Sequence, residues 1–180
     1  ATLVKENDQK VALYKKAVKK FDSAAGQYNL AVTYIKMDKL GDAKNALEKC
    51  EKDADWNNAM GVIALRKNNL DEAAEYFAAA GNETAKENAA VISILKGDYK
   101  AAAAALANAK GFNAALAQLL VGNNAPAAAL KCECAKTAYL RAVAAARNGD
   151  AEAVKTNLEA AKKCEKLAER AAKDVEFAQY

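Results

Sequence analysis

The 180-residue sequence contains no histidine, one proline and one tryptophan. Nucleophilic catalysis most often relies on a histidine base, and histidine is a common zinc ligand, so the usual forms of both sites are excluded. Chemistry based on cysteine alone stays open. The eight glycines stand singly, spaced by whole predicted helices, so there is no Gly-rich phosphate-binding loop. We therefore expect a protein that is not an enzyme and needs neither cofactor nor metal.

The sequence also lacks long apolar runs and an excess of one charge. No stretch of eighteen apolar residues occurs, so we expect no membrane span. The 27 basic and 23 acidic residues are mixed along the chain and leave a net charge of +4, which makes nucleic acid an unexpected partner. The densest basic cluster, Lys15, Lys16, Lys19 and Lys20, is predicted to be the solvated face of a helix.

Cysteines are few, and their spacing fits no metal site. Cys50 takes a small position that is predicted to be buried. Cys132 and Cys134 lie on a predicted helix, where residues two apart point about 200° away from each other, so they should neither share a metal nor form a disulfide. With Cys164, the four residues are predicted to be free, packed thiols.

What the sequence does contain is alanine in a helical pattern. Residues 28–50 carry small and apolar side chains three and four apart on both sides of a polar break at 38–39, which predicts a helical hairpin. The pattern returns about thirty residues later around residues 60–80 and again around 89–109, and a period of this length is typical of a repeat array. Small residues such as Gly61 and Ala73 predict close helix crossings.

The predicted organisation is one all-α domain over residues 8–178, preceded by a flexible N-terminus over residues 1–7. Asp8, Asp55 and Asp71 are candidate helix caps, and Gly81 is a candidate left-handed helix end. The predicted helices cover approximately residues 8–21, 23–37, 42–52, 55–67, 71–80, 83–96, 100–109, 112–121, 126–135, 137–147, 151–164 and 165–178.

The order of residues in these hairpins resembles the tetratricopeptide repeat (TPR) family, in shortened and degenerate form. The matching positions are Leu30, Ala31, Tyr34, Leu40, Ala43, Leu47 and the turn Gly97-Asp98-Tyr99. The usual tryptophan position holds other residues, and no proline closes a hairpin. The segments 112–117 and 172–177 are similar to TPR regions of bacterial cell-envelope proteins. The resemblance implies a right-handed α-α superhelix of about five hairpins with terminal capping helices, in a periplasmic or cell-envelope setting.

The resemblance also implies that the first helices line a concave groove for a protein or peptide ligand. The implied groove residues are Tyr28, Val32, Ile35, Lys36, Asn58, Val62, Leu65, Arg66, Val91, Ile94, Phe112, Leu116 and Tyr139. Two tyrosine hydroxyls in this set favour an open groove, since each needs a partner or water. The alternative is a structural spacer between further domains of the same polypeptide, with the groove closed by its own side chains.

Overall fold

The computed structural model describes residues 2–21 and 23–180, with side chains from Lys5 onward. Within these residues all regular structure is helical and no strand occurs, which confirms the all-α class. The chain divides into two compact units, Ala1–Ile92 and Ser93–Tyr180, here called the N-terminal and C-terminal units. The single repeat domain over residues 8–178 stays a prediction.

The N-terminal unit is formed by consecutive helices, the last of which ends just beyond its boundary. They are α1 (Thr2–Phe21), α2 (Ala24–Lys36), α3 (Leu40–Leu47), α4 (Ala54–Arg66), α5 (Leu70–Ala80) and α6 (Glu83–Leu95). In this unit α2 packs against α1 and α3, and α4 packs against α5.

The C-terminal unit has shorter helices around one long central helix. They are α7 (Tyr99–Ala105), α8 (Phe112–Leu120), α9 (Ala125–Ala128), α10 (Ala135–Arg147), α11 (Ala151–Ala161), α12 (Glu165–Ala171) and the 3₁₀ helix η1 (Val175–Phe177). Helix α10 contacts α8, α9, α11, α12 and η1. Its alanines allow neighbours to approach from several sides, so that from Thr137 to Ala146 every residue except Arg141 is buried.

One turn geometry recurs after α2, α4, α6, α8 and α10. In each turn one residue adopts a left-handed conformation, and the following N–H donates back to the carbonyl five positions earlier, as in a Schellman motif. The left-handed residues and their φ angles are Asp38 (59°), Asn68 (63°), Gly97 (81°), Gly122 (91°) and Gly149 (75°). The corresponding N···O distances are 2.9 Å in the first four turns and 3.0 Å in the last. The predicted polar breaks are therefore equivalent helix ends.

The crossing of α4 and α5 is as close as the small residues predicted. Gly61 faces Phe77, which is 2 % exposed, and a Cβ built on Gly61 would lie 2.5 Å from Phe77 Cε1. Ala73 on α5 is fully buried. The ring of Phe77 fills the space that a side chain at position 61 would need.

None of the three candidate caps is the cap of its helix; in α5 the cap position is Asn69, and Asp71 lies in the first turn. Helix α1 begins at Thr2 and not at Asp8, so residues 2–7 are helical where a flexible segment was predicted. An ion pair of 2.7 Å between Lys10 and Glu6 stabilises this extra turn.

Helix α4 is capped by Asp53, whose carboxylate accepts from the Trp56 N–H at 2.8 Å, and not by Asp55. Both aspartates are chemically able to cap, and the backbone path selects the first.

The helix predicted to end near Ala135 stops at Ala128. The chain then runs without regular structure to Cys134, and the Leu130 carbonyl accepts a hydrogen bond from Arg141 Nη1 at 3.0 Å. This tertiary contact holds the chain away from a helical path. As a result Cys132 and Cys134 are exposed and non-helical, which corrects the prediction that they are packed on a helix.

The last helix is also shorter than predicted, because α12 ends at Ala171. Asp174 then caps η1 by accepting from the Glu176 N–H at 3.1 Å. Val175 is 86 % exposed, although the helical pattern of residues 165–178 predicts it on the apolar face, and Phe177 is buried. Within the described residues, no helix is both long and apolar enough to cross a membrane.

Candidate binding cleft in the C-terminal unit

A cleft of about 620 Å³ in the C-terminal unit collects four of the predicted groove residues: Ile94, Phe112, Leu116 and Tyr139. We call it the apolar cleft. Its other lining residues are Tyr99, Leu119, Leu120, Lys136, Leu140, Val143, Arg147, Leu167, Arg170, Asp174 and Glu176. The lining is therefore mostly apolar, with a few charged groups.

Helices α8 and α10 supply the floor of the cleft. On α8 the lining positions are 112, 116, 119 and 120, and on α10 they are 136, 139, 140, 143 and 147. Both sets follow the spacing of three and four that brings side chains onto one helix face. The two faces meet because buried alanines such as Ala115 and Ala142 occupy the contact.

The wall of the cleft is the segment from α12 to η1, held against α10 by aromatic and polar contacts. The Tyr139 hydroxyl donates to Asp174 Oδ2. The Tyr139 ring meets Phe177 edge to face at 5.6 Å, and the Arg170 guanidinium lies 5.5 Å from its centroid. Burial, together with the Asp174 carboxylate, raises the pKa of Tyr139 to about 12, so this hydroxyl keeps its proton at neutral pH.

Arg147 fixes the other end of the wall. Its Nη1 donates to the Leu119 carbonyl at 2.6 Å, while Nε and Nη2 donate to Glu176 Oε1 at 2.8 and 2.6 Å. One guanidinium thereby joins the end of α8 to η1, a geometry that a lysine could not reproduce.

The cleft holds more positive than negative side chains, and its negative side chains already have partners. Three cations face two carboxylates. Glu176 pairs with Arg147, and Asp174 accepts from Tyr139. Lys136 is exposed, and it has no carboxylate partner among the described residues. The cleft therefore offers an anion a free cation beside an apolar floor.

The groove residues predicted in the N-terminal unit do not line the apolar cleft. Ile35 is buried, and Tyr28, Val62 and Leu65 pack against the core. The remaining residues differ in exposure and in partners. Val32 and Val91 are half-buried and Lys36 is exposed, Asn58 Oδ1 accepts from Asn88 Nδ2 at 2.9 Å, and Arg66 pairs with Asp38 at 3.3 Å.

The wall residues were not predicted as part of a site. Leu167, Arg170, Asp174 and Glu176 were assigned to a capping helix; the first two lie on α12, and the last two follow the break after Ala171. The sequence signal available was Asp174 as a second cap inside a helical pattern. Tyr139 lines the cleft but is only 5 % exposed, and its hydroxyl finds its partner in Asp174 and not in water.

Among the described residues, no group of three or more cysteine or carboxylate side chains is positioned to hold a metal ion. Neither the models of known protein families nor the curated proteins give a match to this chain.

Proposed function

We propose that this chain is a non-catalytic scaffold that binds a protein or peptide segment in the apolar cleft. The proposal includes the TPR-like superhelix and the cell-envelope setting that the resemblance implies. The observation that carries it is the meeting of Ile94, Phe112, Leu116 and Tyr139 at one open cleft. A segment that buries apolar side chains against such a floor gains about 25 cal/mol for each Å² of apolar surface removed from water.

The charges of the cleft favour one class of ligand. Lys136 lies at the edge of the apolar floor without a carboxylate partner among the described residues, while the carboxylates of the wall already have partners. A segment with leucine-like side chains on one face and carboxylates beside them complements both features. The proposed ligand is therefore an apolar segment flanked by acidic residues.

The test uses two synthetic amphipathic peptides with leucines three and four apart, one flanked by glutamates and one by lysines. We expect the acidic peptide to bind in fluorescence anisotropy and the basic peptide to bind at least about tenfold more weakly, which is about 1.4 kcal/mol. Lys136→Glu should weaken acidic-peptide binding about fivefold to tenfold. The matched control is Lys163→Glu, an equal charge change at an exposed residue that does not line the cleft.

Equal binding of the two peptides, or equal effects of the two charge reversals, would contradict the proposal. Circular dichroism spectra of both variants should match the parent, because both lysines are exposed.

A second candidate is the spacer with a closed groove. The observation that favours it is the burial of Ile35 in the core of the N-terminal unit and the packing of Val62 and Leu65 against that core. A spacer between further domains of the same polypeptide should bind neither peptide.

A further inference from the structure

A second cavity of the C-terminal unit, of about 780 Å³, is lined by both Cys132 and Cys134. Its walls include Phe112, Pro126 and Leu130, and two lysines, Lys131 and Lys136, flank the cysteines. We call it the cysteine pocket. It differs from the apolar cleft in having nucleophilic groups at its surface, since both thiols are free and exposed.

The non-helical path of this segment brings the two thiols together. On a helix, residues two apart diverge by about 200°, but outside a helix the side chains at i and i+2 can lie on one side of the chain. Both thiols line the cysteine pocket, and the Cys132 thiol is one of the neighbours that lower the pKa of Cys134. The pair is thus a dithiol.

Cys134 is the more nucleophilic member of the pair. It is the N-cap residue of the 13-residue α10, and its Sγ lies 3.3 Å from Thr137 Oγ1. Hydrogen bonds from the Thr137 hydroxyl, the Cys132 thiol and backbone N–H groups at the start of α10 lower the pKa of Cys134 to about 7. A thiol with a pKa near neutral pH combines a large thiolate fraction with good nucleophilicity.

We propose that Cys132 and Cys134 form a thiol–disulfide exchange site that takes low-molecular-weight disulfides. The Cys134 thiolate attacks one sulfur of the disulfide, forms a mixed disulfide and releases one thiolate. Cys132 then gives up its proton to water, attacks the Cys134 sulfur and displaces the second thiolate. The dithiol is oxidised by two electrons to an intramolecular disulfide, and the small disulfide is reduced to two thiols.

The pocket suits this substrate class for two reasons. The walls at Phe112 and Pro126 provide apolar surface for the body of a small disulfide, and its opening leaves room for the departing thiolate. Lys131 and Lys136 attract anionic disulfides such as oxidised glutathione.

The test incubates the reduced chain with oxidised glutathione at neutral pH and follows peptide masses. We expect the parent chain to lose two hydrogens in a peptide that contains both cysteines. Cys132→Ser should accumulate a mixed disulfide with one glutathione on Cys134, because the resolving thiol is absent. Cys134→Ser should react at least about tenfold more slowly at Cys132.

The two half-buried thiols, Cys50 and Cys164, serve as internal controls in the same experiment. Both should react with oxidised glutathione more slowly than Cys134. Since both substitutions change exposed residues, helical circular dichroism should be unchanged in both variants. A parent chain that keeps the mixed disulfide, or a Cys134→Ser variant that reacts as fast as Cys132→Ser, would overturn the proposal.

Discussion

At the scale of single residues, the contact between Gly61 and Phe77 shows how an absent side chain determines a packing distance. The built Cβ of Gly61 would approach Phe77 Cδ1 to 2.6 Å and Cε1 to 2.5 Å, while Gly41 on α3 has no atom within 4 Å of its built Cβ. Both glycines are helical, so they differ in the space available to a methyl group.

We expect Gly61→Ala to lower the free energy of unfolding by about 1 to 3 kcal/mol, because the buried ring must move. Gly41→Ala should be neutral or stabilising by up to about 1 kcal/mol, because alanine favours a helix where nothing obstructs it. Urea denaturation followed by Trp56 fluorescence measures both. A Gly61→Ala variant as stable as the parent would contradict the close crossing.

Tyr139 couples stability to pH. Its pKa is raised from 10.0 to about 12 in the folded chain, so the folded state binds this proton more tightly than the unfolded state does. The contribution of the protonated Tyr139 to the free energy of unfolding is therefore fully present below pH 10, and it is lost as the pH rises towards 12.

We expect Tyr139→Phe to lower the free energy of unfolding by about 1 kcal/mol at neutral pH, because the hydrogen bond to Asp174 is lost. The gap between parent and variant should narrow as the pH rises from about 10 to 12, when the parent tyrosine ionises. Urea titrations followed by circular dichroism at several pH values give this difference. A gap that is constant with pH would exclude the coupling.

At the scale of elements, the shared turn explains why hairpins recur without a strict sequence motif. The geometry requires one left-handed residue, and aspartate, asparagine or glycine supplies it in different hairpins. In two turns the next residue also caps the following helix: Asp98 accepts from the Ala101 N–H and Asp150 from the Ala153 N–H, both at 3.0 Å.

We expect substitutions at this turn to follow the cost of a left-handed backbone. Gly149→Ala should destabilise by about 1 to 2 kcal/mol although its built Cβ meets nothing within 4 Å, because φ is 75°. Asn68→Gly should stabilise or be neutral, since glycine tolerates the φ of 63° at that position. Thermal unfolding shows whether each substitution stabilises or destabilises the protein. A Gly149→Ala variant as stable as the parent would contradict a left-handed backbone at this position.

At the scale of the whole molecule, charge is mixed and small in sum. The net charge is +4, and the basic cluster of α1 is exposed, with Lys15 lying over the Tyr34 ring and Lys20 over Phe21. Phe21 itself is exposed.

We expect no measurable binding of a labelled DNA duplex at about 0.15 M salt, because affinity for duplex DNA depends on neutralising many phosphates together. Fluorescence anisotropy at low and at physiological salt checks this. Binding that persists at the higher salt would reveal a basic surface that composition does not indicate.

The sequence by itself determined the helical class, the turn positions and the close crossing at Gly61, because each follows from local spacing, from left-handed residues or from a missing side chain. It also named four residues that meet at the apolar cleft. Only the tertiary structure decided where α9 and α12 end, since a distant Arg141 binds the Leu130 carbonyl and Tyr139 binds Asp174. The Tyr139–Asp174 contact holds the cleft wall against α10, and the non-helical segment before α10 places Cys132 and Cys134 at one pocket. The two tertiary contacts join residues that are far apart in the chain, and helical periodicity carries no information about such pairs.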